Sequence, residues 1–134
     1  MIDAIKQNIN FIDWSKFPYG ISLLGGEIYN ITNKDLKHSF LELVNIIIDK
    51  VLSRSDLPHS TYSSVTNGIY DPEFLFNVMD LIKHQVGMGK VDLNFSYDLK
   101  YRYRNDSDRI TVLKNINEFH KRYDYMVGVQ MILT

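Results

Sequence analysis

The sequence predicts an α+β fold, with a twisted, mainly antiparallel β-sheet and helices packed on one of its faces. In residues 91–104, apolar or aromatic side chains alternate with polar ones at every position. This pattern is typical of a strand with one buried face and one solvated face. Four other segments repeat apolar residues every three or four positions, as amphipathic helices do. No linker or internal repeat separates these segments, so residues 1–134 are predicted to form a single α+β domain.

The first third of the chain predicts a short helix, a hairpin and a long helix. Residues 2–13 carry isoleucines at helical spacing. Two β-prone runs then flank Gly25-Gly26, a pair that suits the tight turn of a hairpin. The alternative is a single strand over residues 27–32. Residues 34–54 have a broad apolar stripe, which predicts a helix that lies against the sheet.

The middle of the chain predicts a loop followed by another helix. Residues 55–70 are rich in Ser, Thr, Pro, Asn and Gly, the composition of a long surface loop. The triplet Asp71-Pro72-Glu73 has the acids and the proline that favour a helix start. Gly87 ends this helix, because glycine is common directly after a helix.

The last third leaves one alternative open. Apolar residues at helical spacing predict a helix over residues 108–122. Residues 109–113, however, could instead form a hairpin with the long strand. Residues 123–134 alternate in the manner of a second amphipathic strand, and their less polar reverse face predicts a place near the middle of the sheet.

Composition excludes several classes of protein. The chain is 45% hydrophobic, has a formal charge of −1 and contains no cysteine. A disulfide framework, a thiolate metal site and a cysteine nucleophile are therefore excluded. The near-neutral charge does not favour nucleic-acid binding. There is no signal-peptide pattern and no apolar run approaching the ~20 residues that span a bilayer, so the sequence predicts a cytoplasmic protein that does not enter membranes.

No local motif indicates catalysis, a metal or a cofactor. The four histidines, His38, His59, His84 and His120, form no HxH, HxxxH or HExxH spacing. Residues 87–90 (GMGK) lack the first glycine and the hydroxyl residue of a phosphate-binding loop, and they join a helix to a strand. We therefore predict no catalytic residue, no metal ligand and no cofactor.

The YRYR run at residues 101–104 has the aromatic and cationic side chains that bind single-stranded nucleic acid. Alternation along a strand places the tyrosines on one face and the arginines on the other. Stacking and phosphate contacts need both on one accessible face. The tyrosines are thus predicted to be half-buried core residues, and nucleic-acid binding is not favoured.

The polar face of the long strand is the predicted partner-binding site. Lys100, Arg102 and Arg104 lie on this face about 7 Å apart, with Asp98 beside them. Three aligned cations suit a carboxylate-rich partner. A merely solvated face is the competing interpretation.

These observations predict a small, cytoplasmic, non-enzymatic protein that binds a protein partner. An inhibitor is expected, such as an immunity protein that neutralises a toxin or another effector by occlusion. The alternative is a small-molecule-binding domain or enzyme with a pocket between sheet and helices. Such a pocket would be lined by Tyr97, Tyr101, Tyr103, Tyr123 and Tyr125, with His59 or His120 as acid–base groups. A third possibility is a homodimer formed through a strand edge.

Overall fold

The computed structural model describes residues 1–24, 27–97 and 105–131. Helices and strands alternate along the described chain after an initial helix. The elements are α1 (Ile2–Phe11), β1 (Gly20–Leu23), α2 (Lys34–Ile47), β2 (Thr61–Thr66), α3 (Glu73–Gln85), β3 (Val91–Tyr97), α4 (Asp106–Tyr123) and β4 (Gly128–Met131). A helix therefore stands between each strand and the next.

The four strands form an all-parallel sheet in the order β1-β2-β3-β4. In one row across it, Ile21 pairs with Tyr62, which pairs with Val91. The prediction of a mainly antiparallel α+β sheet is wrong, and the fold is of the α/β kind. The physical reason is the connections: each strand returns through a helix to the same end of the sheet, and such crossovers join parallel strands.

The predicted hairpin is also wrong. β1 pairs with residues 61–64, not with residues 27–32, which contain no strand. The alternative of a single strand over residues 27–32 fails for the same reason, and the expected turn at Gly25-Gly26 lies outside the described residues. The partner of β1 is β2, which lies within the segment predicted to be a loop.

The helices agree more closely with the sequence patterns. Asn33 caps α2, since its side chain accepts hydrogen bonds from the N–H groups of Asp35 and Leu36. A π-helical turn, Ile48–Leu52, continues α2 close to the predicted end. α4 begins after the Asn105 cap and includes residues 109–113, so the hairpin alternative for that segment is wrong.

The long strand and the last strand are partly described. β3 confirms the first half of the alternating segment, and residues 98–104 lie outside the described residues. β4 covers residues 128–131 only, and residues 132–134 also lie outside. In the described sheet β4 is at an edge, so its predicted place near the middle is wrong.

The described helices form one layer on one face of the sheet. The ring centres of Phe40 in α2 and Phe74 in α3 lie 5.8 Å apart. Those of Phe76 in α3 and Phe119 in α4 lie 6.4 Å apart. Phe119 also contacts Phe95 of β3. Crossovers between parallel strands are right-handed as a rule, and three such crossovers that all step to the next strand in one direction place their helices on the same face. The core lies between this layer and the sheet.

Within the described ranges, no helix has both the length and the apolar composition needed to cross a bilayer.

Candidate functional site

The predicted partner-binding residues cannot be placed. Asp98, Lys100, Arg102 and Arg104 lie outside the described residues. The first half of the same polar face, on β3, is described, and it belongs to the side of the sheet opposite the helices.

We call this side the open face. Its described side chains are Ser22, Thr61, Ser63, Val65, Asp92, Asn94, Ser96 and Gln130, of which Ser96 is buried and Thr61, Ser63, Val65 and Asn94 are half-buried. They alternate with residues such as Tyr62 and Leu93, which point into the core. In the part of the chain that the structure describes, no helix lies on the open face. Ser22 and Asp92 are exposed there.

A carboxylate stands near the centre of the open face. Asp92 accepts a hydrogen bond from the Ser63 hydroxyl at 3.2 Å and another from the Asn94 amide nitrogen at 3.2 Å. The two bonds reach different oxygens, so the carboxylate is held on both sides. Asp92 is the charged residue among the open-face side chains named above, and these two hydrogen bonds orient it.

Gly128 of β4 makes room for this arrangement. A Cβ atom at residue 128 would lie 1.9 Å from the side-chain oxygen of Asn94. Glycine therefore allows the Asn94 amide to lie flat over the neighbouring strand and to reach Asp92. Sequence reasoning missed Ser63 and Gly128, because Ser63 was assigned to a loop and strand pairing with Gly128 is not visible locally.

A second polar group lies at the carboxyl end of β2, on the core side of the sheet. The Glu27 carboxylate accepts hydrogen bonds from the Thr66 hydroxyl at 2.9 Å and from the Asn67 N–H at 2.7 Å. The hydroxyls of Thr66 and Tyr70 are also hydrogen bonded. Burial raises the pKa of Tyr70, and the nearby Glu27 carboxylate raises it further.

Two tyrosines extend this network into the core. The hydroxyl of Tyr29 lies 3.0 Å from that of Tyr62 and 2.5 Å from that of Ser64. Burial raises the pKa values of both tyrosines above the ordinary value, so both stay neutral in the folded protein. Each of these hydroxyls has a partner inside the protein. The network therefore supports the fold, because it satisfies three buried hydroxyls.

A small pocket adjoins the network. Its volume is about 160 Å³, below the ~300–1,000 Å³ of typical ligand sites. It is lined by Tyr29, Asn30, Ile31, Thr32, Lys37, Asp71, Glu73 and Phe74. The Lys37 ammonium lies over the Phe74 ring, 5.7 Å from its centre. None of the five tyrosines expected to line a pocket is among these residues.

The expected pocket tyrosines that are described serve the core instead. The Tyr123 hydroxyl donates to the Asp80 carboxylate and to the Phe76 carbonyl. The Tyr125 hydroxyl donates to the Val91 carbonyl at 2.5 Å. Tyr97 is half-buried against the core, and Tyr101 and Tyr103 lie outside the described residues.

Neither of the two candidate acid–base histidines is among the residues that line this pocket. His59 is exposed in the turn before β2, and His120 is exposed near the end of α4. One ring nitrogen of His120 lies 3.3 Å from the Tyr125 carbonyl oxygen. Among the described residues, no group of three or more histidines and acids is placed to hold a metal ion.

The strand order itself bears on ligand binding. Open parallel sheets bind ligands in the crevice where the strand order reverses, because neighbouring loops there turn to opposite faces. The described order β1-β2-β3-β4 has no reversal. The described sheet thus lacks the feature that creates such a crevice.

Comparison with known proteins found no matching family model, no similar curated protein and no similar solved structure. The function is therefore argued from the chain's own residues.

Proposed function

We propose that this protein is a non-catalytic binding module that recognises another protein through its open face. The proposal rests on one observation. All-parallel sheets are normally covered on both faces, whereas no described helix covers the open face of this sheet. A partner that docks there would supply the missing layer.

The chemistry of the open face supports a polar, specific contact. Ser22, Ser63 and Asn94 offer hydrogen-bonding groups, and Asp92 offers a fixed charge. Polar groups held in place before binding lose little side-chain entropy, and complementary charge selects the correct partner. A basic side chain of the partner is the natural complement of Asp92, because a carboxylate accepts bidentate bonds from arginine.

The size of the open face sets a further requirement. Four strands about 4.8 Å apart and about five residues long cover roughly 300 Å². A standard interface buries ~800 Å² on each partner. The contact must therefore extend beyond the described strands. Lys100, Arg102 and Arg104 would extend it if β3 continues as the alternating pattern predicts, and this stays a prediction.

A cytoplasmic location remains part of the proposal. The expectation of an immunity protein or other inhibitor is withdrawn, because nothing in the described α/β structure indicates either role.

The test compares two charge reversals that differ only in location. Asp92→Arg changes the open face, and Glu118→Arg changes an exposed acid on α4, in the helical layer. Each tagged variant is used to capture proteins from cells that naturally express the chain, after circular dichroism confirms folding. We expect a stoichiometric partner that the unchanged protein and Glu118→Arg retain and that Asp92→Arg loses. A partner retained equally by both variants would contradict the proposal, as would the absence of any partner.

The predicted cation ladder has its own test. Replacing Lys100, Arg102 and Arg104 together by glutamate is expected to leave folding intact and to weaken binding of the captured partner at least about tenfold. Titration of the purified partner by calorimetry measures this effect. Unchanged affinity would remove the ladder from the interface, and loss of the fold would show that these residues have a structural role.

A further inference from the structure

A second surface of the molecule, separate from the open face, exposes three aromatic rings within nine residues. The residues from Phe11 to Tyr19 are called the aromatic segment below. The exposed fractions are 87% for Phe11, 57% for Phe17 and 81% for Tyr19. Soluble proteins usually bury such rings, and clustered exposed aromatics are enriched in protein interfaces.

The aromatic segment is held in one conformation by its own backbone and by a buried anchor. Trp14 is buried, and its ring N–H donates to the Ile9 carbonyl at 3.1 Å. The Phe17 N–H donates to the Trp14 carbonyl at 3.0 Å, and the two rings meet edge to face at 6.4 Å. The Asp13 side chain accepts from the Ser15 N–H at the start of the intervening turn. A fixed surface loses little entropy on binding.

The aromatic segment joins the helical layer to the edge of the sheet. It starts at the last residue of α1, a helix that packs against α2 and whose Lys6 reaches Glu42 of α2 at 2.8 Å. The segment then leads into β1 at the edge of the sheet. The exposed rings therefore lie at the end of α1 and in its connection to β1, apart from Asp92 on β3.

The charges of the aromatic segment are balanced and self-complementary. It carries one acid, Asp13, and one base, Lys16, with side chains 58% and 76% exposed. Their charged atoms are 4.0 Å apart, at the limit of an ion pair. This balance gives no attraction for an anionic membrane or a nucleic acid, both of which need an excess of cations. When two copies meet around a two-fold axis, by contrast, the acid of each copy can face the base of the other.

We infer that the aromatic segment binds a second copy of this chain around a two-fold axis. The rings of each copy pack against those of the other. Asp13 of each copy lies opposite Lys16 of the partner subunit. If each ring offers about 200 Å² when fully exposed, the three rings of two copies bury about 900 Å². Stable interfaces begin near 1,000–1,200 Å², so the dimer is weak and forms with increasing concentration.

The first experiment measures the oligomeric state of the full chain by sedimentation equilibrium from ~1 μM to ~1 mM. The expected result is a rise in mass from one chain towards two. Phe11→Ser removes a central ring from both copies and weakens the dimer at least about 30-fold. Ile110→Ser is the matched control, since Ile110 of α4 is 65% exposed but lies outside the aromatic segment. It is expected to change nothing.

The second experiment tests the two-fold arrangement. Asp13→Lys makes the charged pair wholly positive, and Lys16→Asp makes it wholly negative. Each variant alone is expected to dimerise at least about tenfold more weakly, because like charges then face each other. An equimolar mixture restores the dimer, since every lysine then faces an aspartate. Lys16 takes no part in capping the turn, so Lys16→Asp remains a valid test if Asp13→Lys does not fold.

Three results would overturn the inference. The unchanged chain would stay monomeric at every concentration, Phe11→Ser and Ile110→Ser would have equal effects, or the mixture of charge variants would stay monomeric. Binding of the unchanged protein to anionic vesicles, with no dimer in solution, would assign the aromatic segment to a membrane surface instead.

Discussion

Gly68 is the position at which one added methyl group tests the described packing most directly. It lies just beyond β2 with φ +68°, a conformation that favours glycine. A Cβ atom there would lie 2.7 Å from two ring carbons of Phe95. That ring is fully buried and contacts Phe119 of α4, so it has little room to move away.

Gly68→Ala is therefore expected to destabilise the protein. Left-handed backbone at a residue with a Cβ costs about 1 kcal/mol, and overpacking a filled core costs about 1–3 kcal/mol. The lower entropy of alanine in the unfolded chain offsets about 0.5 kcal/mol. The expected net loss in the free energy of unfolding is about 1.5–3.5 kcal/mol, measured by urea denaturation followed by circular dichroism.

Two further variants test whether the loss arises from contact with the Phe95 ring. Gly89→Ala places a Cβ where no atom lies within 4 Å, and it is expected to change stability by less than about 0.5 kcal/mol. Phe95→Leu is made both alone and with Gly68→Ala. If the ring is the obstacle, this substitution costs less in the alanine background, which appears as a coupling energy. Equal effects of Gly68→Ala and Gly89→Ala, or a coupling energy near zero, would refute the reasoning.

Three other predictions concern buried or partly buried polar groups. Asn115→Asp places a carboxylate where the amide nitrogen donates to the Gly68 and Tyr70 carbonyls at 2.7 and 2.9 Å. Urea denaturation should show that the free energy of unfolding falls by about 3 kcal/mol at pH 7 and by less at pH 4, where the new acid is protonated. Burial raises the pKa of Tyr29 in the folded state, so its contribution to stability is complete below about pH 10 and is lost as the pH rises further. Between pH 9 and pH 11, urea denaturation should show a larger fall in the free energy of unfolding for the unchanged protein than for Tyr29→Phe. Burial of Asp80 opposes its ionisation, but hydrogen bonds from Arg122 and Tyr123 outweigh this effect and lower its pKa. The stability that this group contributes is therefore present above about pH 4 and is lost below it. Arg122→Ala should lower the free energy of unfolding by about 1 kcal/mol at pH 7 and by clearly less at pH 3.

The helices were predictable from the sequence because their signals are local. The Asn33 cap, the Asp71-Pro72-Glu73 start and the stop at Gly87 lie within a few residues of the boundaries that they set. The apolar stripes predicted for α2 and α3 largely face the core, which needs no knowledge of the partner element. In α4 the spacing predicted the helix but not its buried face: Ile110 and Leu113 are exposed, and Val112 and Phe119 are buried instead. The alternating pattern of β3 was informative for the same reason, since it records burial on one face.

β2 was not predictable in the same way, because two of its three buried residues are polar. Ser64 and Thr66 point into the core and are fully or almost fully buried. Their hydroxyls are matched by Tyr29 and Glu27, more than thirty residues earlier in the chain. A rule that reads hydroxyl-rich segments as surface loops assumes that water satisfies the hydroxyls. Here distant side chains satisfy them, and no local pattern reveals this.

The loss of this one strand changed the predicted fold class. With β2 present, helices and strands alternate along the whole described chain, and that order predicts parallel pairing. Without it, β1 had no partner except residues 27–32, and a hairpin was the natural solution. The open face follows from the same strand: β2 joins β1 to β3, and three crossovers in one direction leave that face without a described helix. Ser63, on the other side of β2 from Ser64, then reaches Asp92. The core network and the proposed interaction face are thus the two faces of a single strand.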